Sequence, residues 1–355
     1  MSTAKLMVMA GGTGGHVFPA LAVAKALQTQ DVDVVWLGTK KGLESRVVPA
    51  NAIPISWISV EGLRGKSELA WLLAPFKLAR AIWQSMQALR SEKPNCVLGM
   101  GGFASGPGAI AARLMGKRLV IHEQNAVAGL TNKYLAKIAH RVLSGFPQVA
   151  GLPERAEWVG NPVRNTIKPS GRRASEPLRV LVVGGSQGAY SFNQYLPSLF
   201  AQLKLNKVVI DIWHQTGHGN EQSTLALYKE QSIIAKVSEF IDDMAAAYQW
   251  ADLLVCRAGA MTIAECCAAA KPALFVPYPF SAGDHQDFNA QAMVDAGAAK
   301  VVPNSALQDG SLLPVLQAML SEPNTLELMG ERASVLHKAD ALASVVGICK
   351  EMCYA

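Results

Sequence analysis

Apolar runs of about five residues recur along the chain, each followed by small or polar residues and then by apolar positions at helical spacing. The run 5–10 enters Gly11-Gly12-Thr13-Gly14-Gly15, after which residues 17–27 repeat as a helix does. The same order returns 173 positions later: residues 179–183 enter Gly184-Gly185-Ser186-Gln187-Gly188, and a helical pattern follows over 191–203. A short apolar strand, a glycine turn and a helix open a βαβ unit. Further strands are predicted at 32–37, 96–98, 118–122 and 141–143, then at 208–213, 233–237, 253–256 and 273–276. Strands that read as unbroken apolar runs are covered on both faces, so the pattern predicts two doubly wound α/β domains with parallel sheets. Residues 160–177, with Pro162, Pro169, Gly171, Pro177 and the pair Arg172-Arg173, follow neither period and read as the linker.

Half of the 355 residues are hydrophobic and 17% are charged, which excludes a disordered polymer and fits large cores. Residues 6–24 and 94–112 contain no Asp, Glu, Lys or Arg and are long enough to span a bilayer. Their glycines and prolines instead mark strand, loop and helix. The apolar run behind Lys5 is too short for a secretory signal. The six cysteines, with no C-x-x-C pair, suit reduced, buried thiols of a cytosolic protein, although Cys349 and Cys353 have a spacing that allows a bridge or a metal site. Net charge is +6 but uneven: residues 1–165 carry +10 and residues 166–355 carry −4. The basic half points to a polyanionic or membrane-surface partner.

In a doubly wound sheet, ligands sit at the carboxyl ends of strands, where helix N-termini present free N–H groups. The glycines at 11–15, 99–102 and 184–188 all fall there, and glycine lets backbone approach a phosphate or sugar. A tight turn packing helix on sheet is the plainer reading of any one of them; three together favour a nucleotide-type ligand. NAD is disfavoured, because Val17 replaces the third glycine of G-x-G-x-x-G and no acid ends the second strand at Leu37-Gly38-Thr39. Gly65-Lys66-Ser67 lacks the first glycine of a P-loop, since position 60 is Val60. Asp31-Val32-Asp33 has a metal-binding spacing but precedes a strand, at the wrong end of the sheet. No cluster has strong metal-ligand spacing.

Four groups of residues carry candidate chemistry. His16 follows the first glycine loop, where an imidazole suits a general base or simply packs the helix start. His122-Glu123-Gln124-Asn125 ends an apolar strand with four hydrogen-bonding side chains. Arg257 and the run Ala260-Met261-Thr262-Ile263-Ala264-Glu265 follow a strand into a helix, whose N–H groups can hold a diphosphate while Glu265 accepts from ribose hydroxyls. Asp284-His285-Gln286-Asp287 offers sugar-binding groups or a capped loop.

These segments, with Val159-Gly160-Asn161-Pro162-Val163-Arg164 and Phe240-Ile241-Asp242-Asp243-Met244, resemble in order and over nearly the whole chain the MurG glycosyltransferases of bacterial cell-wall synthesis. The resemblance implies a GT-B fold: two Rossmann-like domains facing across a cleft, 1–164 on the acceptor and membrane side and 165–340 on the donor side, with a C-terminal helix at about 341–355 packing back on the first. It implies inverting transfer of N-acetylglucosamine from UDP-N-acetylglucosamine to the C4 hydroxyl of the muramyl sugar of lipid I, giving lipid II for peptidoglycan, cell shape and division. Thr13, Gly14 and Gly15 would approach the donor sugar and diphosphate, and Asn125 the sugar. Arg164, Ser186, Ile241 and residues 260–265 would hold the nucleotide, with Ile241 meeting uracil through its backbone. Gln286 is carried over as a sugar contact, whereas Asp287 stands where the family often has a second glutamine. His16 is the first candidate for the base and Glu123 the second. Neither metal nor cofactor is required, since helix N-termini can carry the leaving-group charge.

A lipid acceptor places the protein peripherally on the cytoplasmic face of the inner membrane, with other cell-wall synthesis proteins as candidate partners and no nucleic acid. Trp71, Phe76, Ile82 and Trp83, interleaved with Arg64, Lys66, Lys77, Arg80 and Arg90, suit an anionic lipid surface or an ordinary amphipathic helix. Two rival readings remain: a UDP-N-acetylglucosamine 2-epimerase of the same fold, and a non-catalytic UDP-sugar-binding protein at the membrane.

Overall fold

The computed structural model describes residues 4–60, 73–171, 177–185, 188–281 and 284–354. The chain divides into two compact units, Met1–Arg164 with Lys338–Ala355, and Asn165–His337. In the first, strands β1 (Lys5–Met9), β2 (Asp33–Gly38), β3 (Ile55–Trp57), β4 (Cys96–Gly99), β5 (Arg118–Glu123), β6 (Arg141–Ser144) and β7 (Glu157–Trp158) form a parallel sheet in the order β3-β2-β1-β4-β5-β6-β7. In the second, β8 (Leu178–Val183), β9 (Ile210–Gln215), β10 (Lys236–Ser238), β11 (Leu253–Cys256), β12 (Ala273–Phe275) and β13 (Ala299–Val301) are parallel in the order β10-β9-β8-β11-β12-β13. Counted within each unit, both sheets contain the doubly wound order 3-2-1-4-5-6, to which the first adds β7 beside β6.

The duplication reaches small details. Asn95 Oδ1 accepts from the Lys5 N–H at 2.8 Å just before β4, and Asp252 Oδ2 accepts from the Arg179 N–H at 2.9 Å just before β11. In each unit the polar residue that enters the fourth strand secures the start of the first.

Side-chain alternation assigns the two faces of β1. Leu6 and Val8 pack with Val17, Leu21 and Val346, whereas Met7 and Met9 pack with Leu89, Ala109 and Ala112. The first face is covered by the helix Gly14–Gln28 and by the C-terminal helix Ala341–Tyr354, which buries Leu342, Val345, Cys349 and Met352 in the same core. All six cysteines are buried and unbridged. Cys353 contacts Cys96 on β4, with 2.7 Å between the sulfurs, so Cys349 is not its partner.

Strands β3, β7 and β13 escape the sequence pattern, and β10 begins three residues later than expected. All four are sheet edges of two or three residues. An edge strand is solvated on one side and needs no continuous apolar run. The expected linker also starts too early: residues 160–163 are buried in the first unit.

Candidate active site

Parallel strands deliver all their carboxyl ends to one edge, so the loops after β1, β4 and β5 collect there. The helix Gly14–Gln28 starts inside the first glycine loop, with Thr13 as an extended N-cap whose side chain makes no capping bond. Gly14, Gly15 and His16 are its first helical residues, and the early N–H groups of a helix lack intrahelical partners. Asp31 and Asp33 sit at the opposite edge, where Asp33 opens β2. Among the described residues no group of three His, Cys, Asp or Glu could hold a metal ion.

Glu44, fully buried, organises the first loop. Its Oε2 accepts from the Gly12 N–H at 2.9 Å, and its Oε1 accepts from the Thr39 N–H at 3.0 Å and from the Thr39 hydroxyl at 2.7 Å. The acid missing from the end of β2 thus arrives six residues after Gly38 and serves loop backbone. The second loop presses on the first: a Cβ on Gly102, at φ +80°, would run into the Gly11 carbonyl, and one on Gly101, at φ +92°, would lie 2.7 Å from His16 Nδ1. Only glycine permits this approach. The third loop completes the junction, because Gln124 Oε1 lies 2.9 Å from His16 Nδ1.

The two candidate bases have different surroundings. His16 is half-buried, and among the described residues its Nε2 has no hydrogen-bond partner. Glu123 is buried and each of its oxygens is engaged twice. Oε1 accepts from the N–H and the side-chain amide of Asn125, both at 3.0 Å, and Oε2 accepts from the Gly129 N–H at 3.1 Å and from Asn132 Nδ2 at 2.9 Å. Four donors on one carboxylate anchor the loop 125–132, and proton abstraction would break that set. Glu123 therefore fits the holding of Asn125 better than it fits a base.

Beneath this junction, the fully buried His122 lies with Nε2 2.9 Å from the Gly160 carbonyl, and burial pushes its imidazole below its ordinary range. Asn161 donates to the Gln124 carbonyl at 3.0 Å. Arg164 stacks on Phe18 of the first helix, 5.9 Å from the ring centre.

In the second unit, Gln215 at the end of β9 holds the glycine loop. Its Oε1 accepts from the Gly185 N–H at 3.1 Å, and its amide donates to the carbonyls of Gly185 and Glu239, both at 3.0 Å. Ser186 lies outside the described residues. Ile241 is buried just beyond β10, before the helix Met244–Trp250. Ala260 to Glu265 occupy the first turns of the helix Ala260–Ala269, whose N-cap is Gly259 without a side-chain capping bond. The buried Tyr248 hydroxyl donates to Glu265 Oε2 at 2.9 Å; burial and the Glu265 charge push that phenol well above its usual range.

Arg257 ties the neighbouring loops together. It donates to the Val276 and Pro277 carbonyls at 2.9 and 3.1 Å, to Asn304 Oδ1 at 2.9 Å and to Ser191 Oγ at 2.8 Å. Burial lowers its guanidinium to about 10. Gln286 Oε1 accepts from the Tyr278 N–H at 2.8 Å, and Asp287 is exposed in the first turn of the helix His285–Asp295. Sequence reasoning missed Glu44, Gln215, Tyr248 and the link through Gln124. A lone acid next to the apolar Leu43 and Val47-Val48 was the signal available for Glu44.

The helix Ala74–Glu92 buries Ala81, Ser85 and Leu89, one stripe at intervals of four. Phe76 is 75% and Trp83 56% exposed beside the exposed Lys77 and Arg80. Trp71, Arg64 and Lys66 lie outside the described residues. Among the described residues no helix is long and apolar enough to cross a membrane.

Residues 6–144 match the glycosyltransferase family 28 N-terminal domain, and residues 179–345 match the glycosyltransferase family 28 C-terminal domain. A protein of Alkalilimnicola ehrlichii, the UDP-N-acetylglucosamine–N-acetylmuramyl-(pentapeptide) pyrophosphoryl-undecaprenol N-acetylglucosamine transferase, is 50% identical over 357 residues, covering 98% of this chain and 99% of its own. The crystal structure of Acinetobacter baumannii MurG superposes with a TM-score of 0.83 at 39% identity, covering 98% of this chain and 99% of that one. A putative UDP-N-acetylglucosamine 2-epimerase from Listeria monocytogenes reaches a TM-score of 0.71 at 13% identity over 99% of this chain and 97% of its own, a likeness of fold alone.

Proposed function

The chain belongs to the MurG family of glycosyltransferases, with the GT-B fold, and from that membership we propose how its residues divide the work of the reaction. It is a hexosyltransferase that moves N-acetylglucosamine from UDP-N-acetylglucosamine to lipid I, giving lipid II for peptidoglycan. The 2-epimerase reading is not favoured, since its structural likeness is confined to the fold.

His16 is the general base. The observation that carries this role is the meeting of three carboxyl-edge loops on one imidazole, bonded at Nδ1 and open at Nε2. The C4 hydroxyl of the muramyl sugar gives its proton to Nε2 while its oxygen bonds to the anomeric carbon. The bond from that carbon to the diphosphate breaks on the opposite side, and UDP leaves with the electron pair and inversion. The first unit takes the acceptor and supplies the base; the second binds the donor and stabilises the leaving group. Thr13, Gly14, Gly15 and Asn125 approach the sugar and diphosphate from the first unit, with Glu123 holding Asn125 in place. The uncapped N–H groups at Ala260, Met261 and Thr262 face negative charge, with Ile263 and Ala264 continuing the turn, and Glu265 accepts from the ribose. Ile241 meets uracil through its backbone, Ser186 and Arg164 hold the nucleotide, and Gln286 contacts the sugar.

The exposed Phe76 and Trp83 beside Lys77 and Arg80 support peripheral docking on the anionic cytoplasmic face of the inner membrane. There the enzyme meets lipid I and other cell-wall synthesis proteins, and its product serves cell shape and division.

The test follows labelled UDP-N-acetylglucosamine with and without a lipid I analogue. Lipid-dependent incorporation with release of UDP is expected, and its loss in His16→Ala with donor binding intact. Donor binding without incorporation into a competent acceptor overturns the transferase. An active His16→Ala overturns the base.

A further inference from the structure

We propose that Gln124 and His122 are positioning residues that lock His16 into the Nδ1–H tautomer, through a hydrogen-bond chain whose direction is set by the backbone carbonyl of Gly160. The inference rests on the base role of His16 and adds the device that keeps Nε2 unprotonated.

The direction of each link follows from what its atoms can do. The Gly160 carbonyl only accepts, so His122 Nε2, 2.9 Å away, carries the hydrogen. His122 is fully buried and its imidazole is held neutral by that burial, so its Nδ1 bears a lone pair. The Gln124 amide nitrogen stands 3.2 Å from that lone pair and 3.3 Å from the His122 carbonyl, and it donates to both. Turning the amide over would set its oxygen against two acceptors. The Gln124 oxygen therefore faces His16 Nδ1 at 2.9 Å, and because an amide oxygen only accepts, Nδ1 is the protonated nitrogen. Neutral imidazole holds one ring hydrogen, so Nε2 keeps its lone pair.

The chain is held at Gly160 and at Gln124. Gly160 sits at φ +87°, and a Cβ there would lie 2.5 Å from Lys338 Cβ. Asn161, the next residue, clamps the Gln124 carbonyl. The segments 159–164 and 122–125, far apart in sequence, are thus two parts of one device. Nearby carboxylates do not enter it: Glu123 is engaged by the loop 125–132, and Glu44 by Gly12 and Thr39. A neutral amide next to Nδ1 orients the ring without bringing a full negative charge to it.

The test reads the tautomer itself. In isotope-labelled histidine, long-range nitrogen–proton correlations recorded at about pH 8, where imidazole is neutral, are expected to show His16 protonated at Nδ1, with the signal assigned by its loss in His16→Ala. Gln124→Met keeps the length of the side chain and removes both links. It is expected to shift His16 toward the Nε2–H form and to lower kcat about 10–100-fold, a loss of the size that follows when a metal-bound histidine is deprived of its orienting partner, with KM for UDP-N-acetylglucosamine unchanged. Gln124→Glu, an isostere that retains the oxygen toward Nδ1, is the second variant should Gln124→Met fail to fold. Its carboxylate favours the imidazolium, so the acidic limb of the pH profile of kcat/KM moves up by about one unit or more. A wild-type His16 protonated at Nε2, a Gln124→Met enzyme with full kcat, or an unmoved acidic limb in Gln124→Glu overturns the proposal. An active His16→Ala enzyme sinks the base role instead, whatever tautomer the spectrum records.

Discussion

Glu123→Gln separates a carboxylate that anchors a loop from one that takes a proton. The substitution conserves shape but leaves one acceptor oxygen where there were two. Whichever way the new amide turns, its NH2 group meets two donors: either the N–H and side-chain amide of Asn125, or the Gly129 N–H and Asn132 Nδ2. Two charge-assisted hydrogen bonds are lost at a site that is 1% exposed. At roughly 1.5–3 kcal/mol each, the cost is about 3–6 kcal/mol. That is a large fraction of the roughly 5–15 kcal/mol that holds a domain folded. It corresponds to a fall in melting temperature of roughly 6–24 °C for a unit of this size. Calorimetry of wild type and variant checks the stability, and steady-state kinetics across pH check the role. The anchoring carboxylate predicts a destabilised protein whose residual activity keeps its acidic limb. A variant that melts with wild type while losing about 10²–10⁴ in kcat, the contribution of a general base, would refute the anchoring role and return Glu123 to the chemistry.

Gly102→Ala drives a Cβ into the Gly11 carbonyl at a positive φ, so circular dichroism should show a lower melting midpoint and transfer should be lost; wild-type melting would contradict the packing of the two loops. Tyr248→Phe removes the 2.9 Å bond to Glu265 without changing the buried ring, and KM for UDP-N-acetylglucosamine should rise about tenfold; an unchanged KM means that Glu265 does not need the phenol. The stability of the second unit should fall in acid because burial holds the His214 imidazole at about 3. Unfolded histidine takes its proton near pH 6.5, so as pH drops from about 6.5 toward 3 the unfolded chain binds a proton that the folded one refuses. The loss is roughly 1.4 kcal/mol per pH unit and is absent above about pH 7. Urea unfolding of His214→Gln should lack that part of the slope, and an identical slope would rule out His214 as its source.

What the sequence made legible follows from which interactions are local. Strands β1, β4, β8 and β11 are central and, apart from Lys5 and Arg179 near the starts of β1 and β8, apolar and buried on both faces, so each announces itself over four to six residues. The loops follow at once, and parallel connectivity sends them to one edge of each sheet, which is why His16, residues 122–125 and residues 260–265 stand out as candidates in the sequence. The edge strands β3, β7 and β13 were illegible because an edge has no apolar run to display. The same distinction divides the site. The position of His16 is a local fact of one loop, but its orientation depends on Gln124, 108 residues away, and through His122 on a carbonyl at position 160, which no side-chain pattern can mark. Glu44 and Tyr248 are equally hidden, since each acts on groups brought to it by the fold. The residues proposed to touch substrate are therefore the readable part of each unit, because they cluster at strand ends. The residues that aim them are scattered, and the segment read from sequence as the start of a linker, 160–163, is buried in the first unit and supplies the carbonyl on which the proposed orientation of His16 depends.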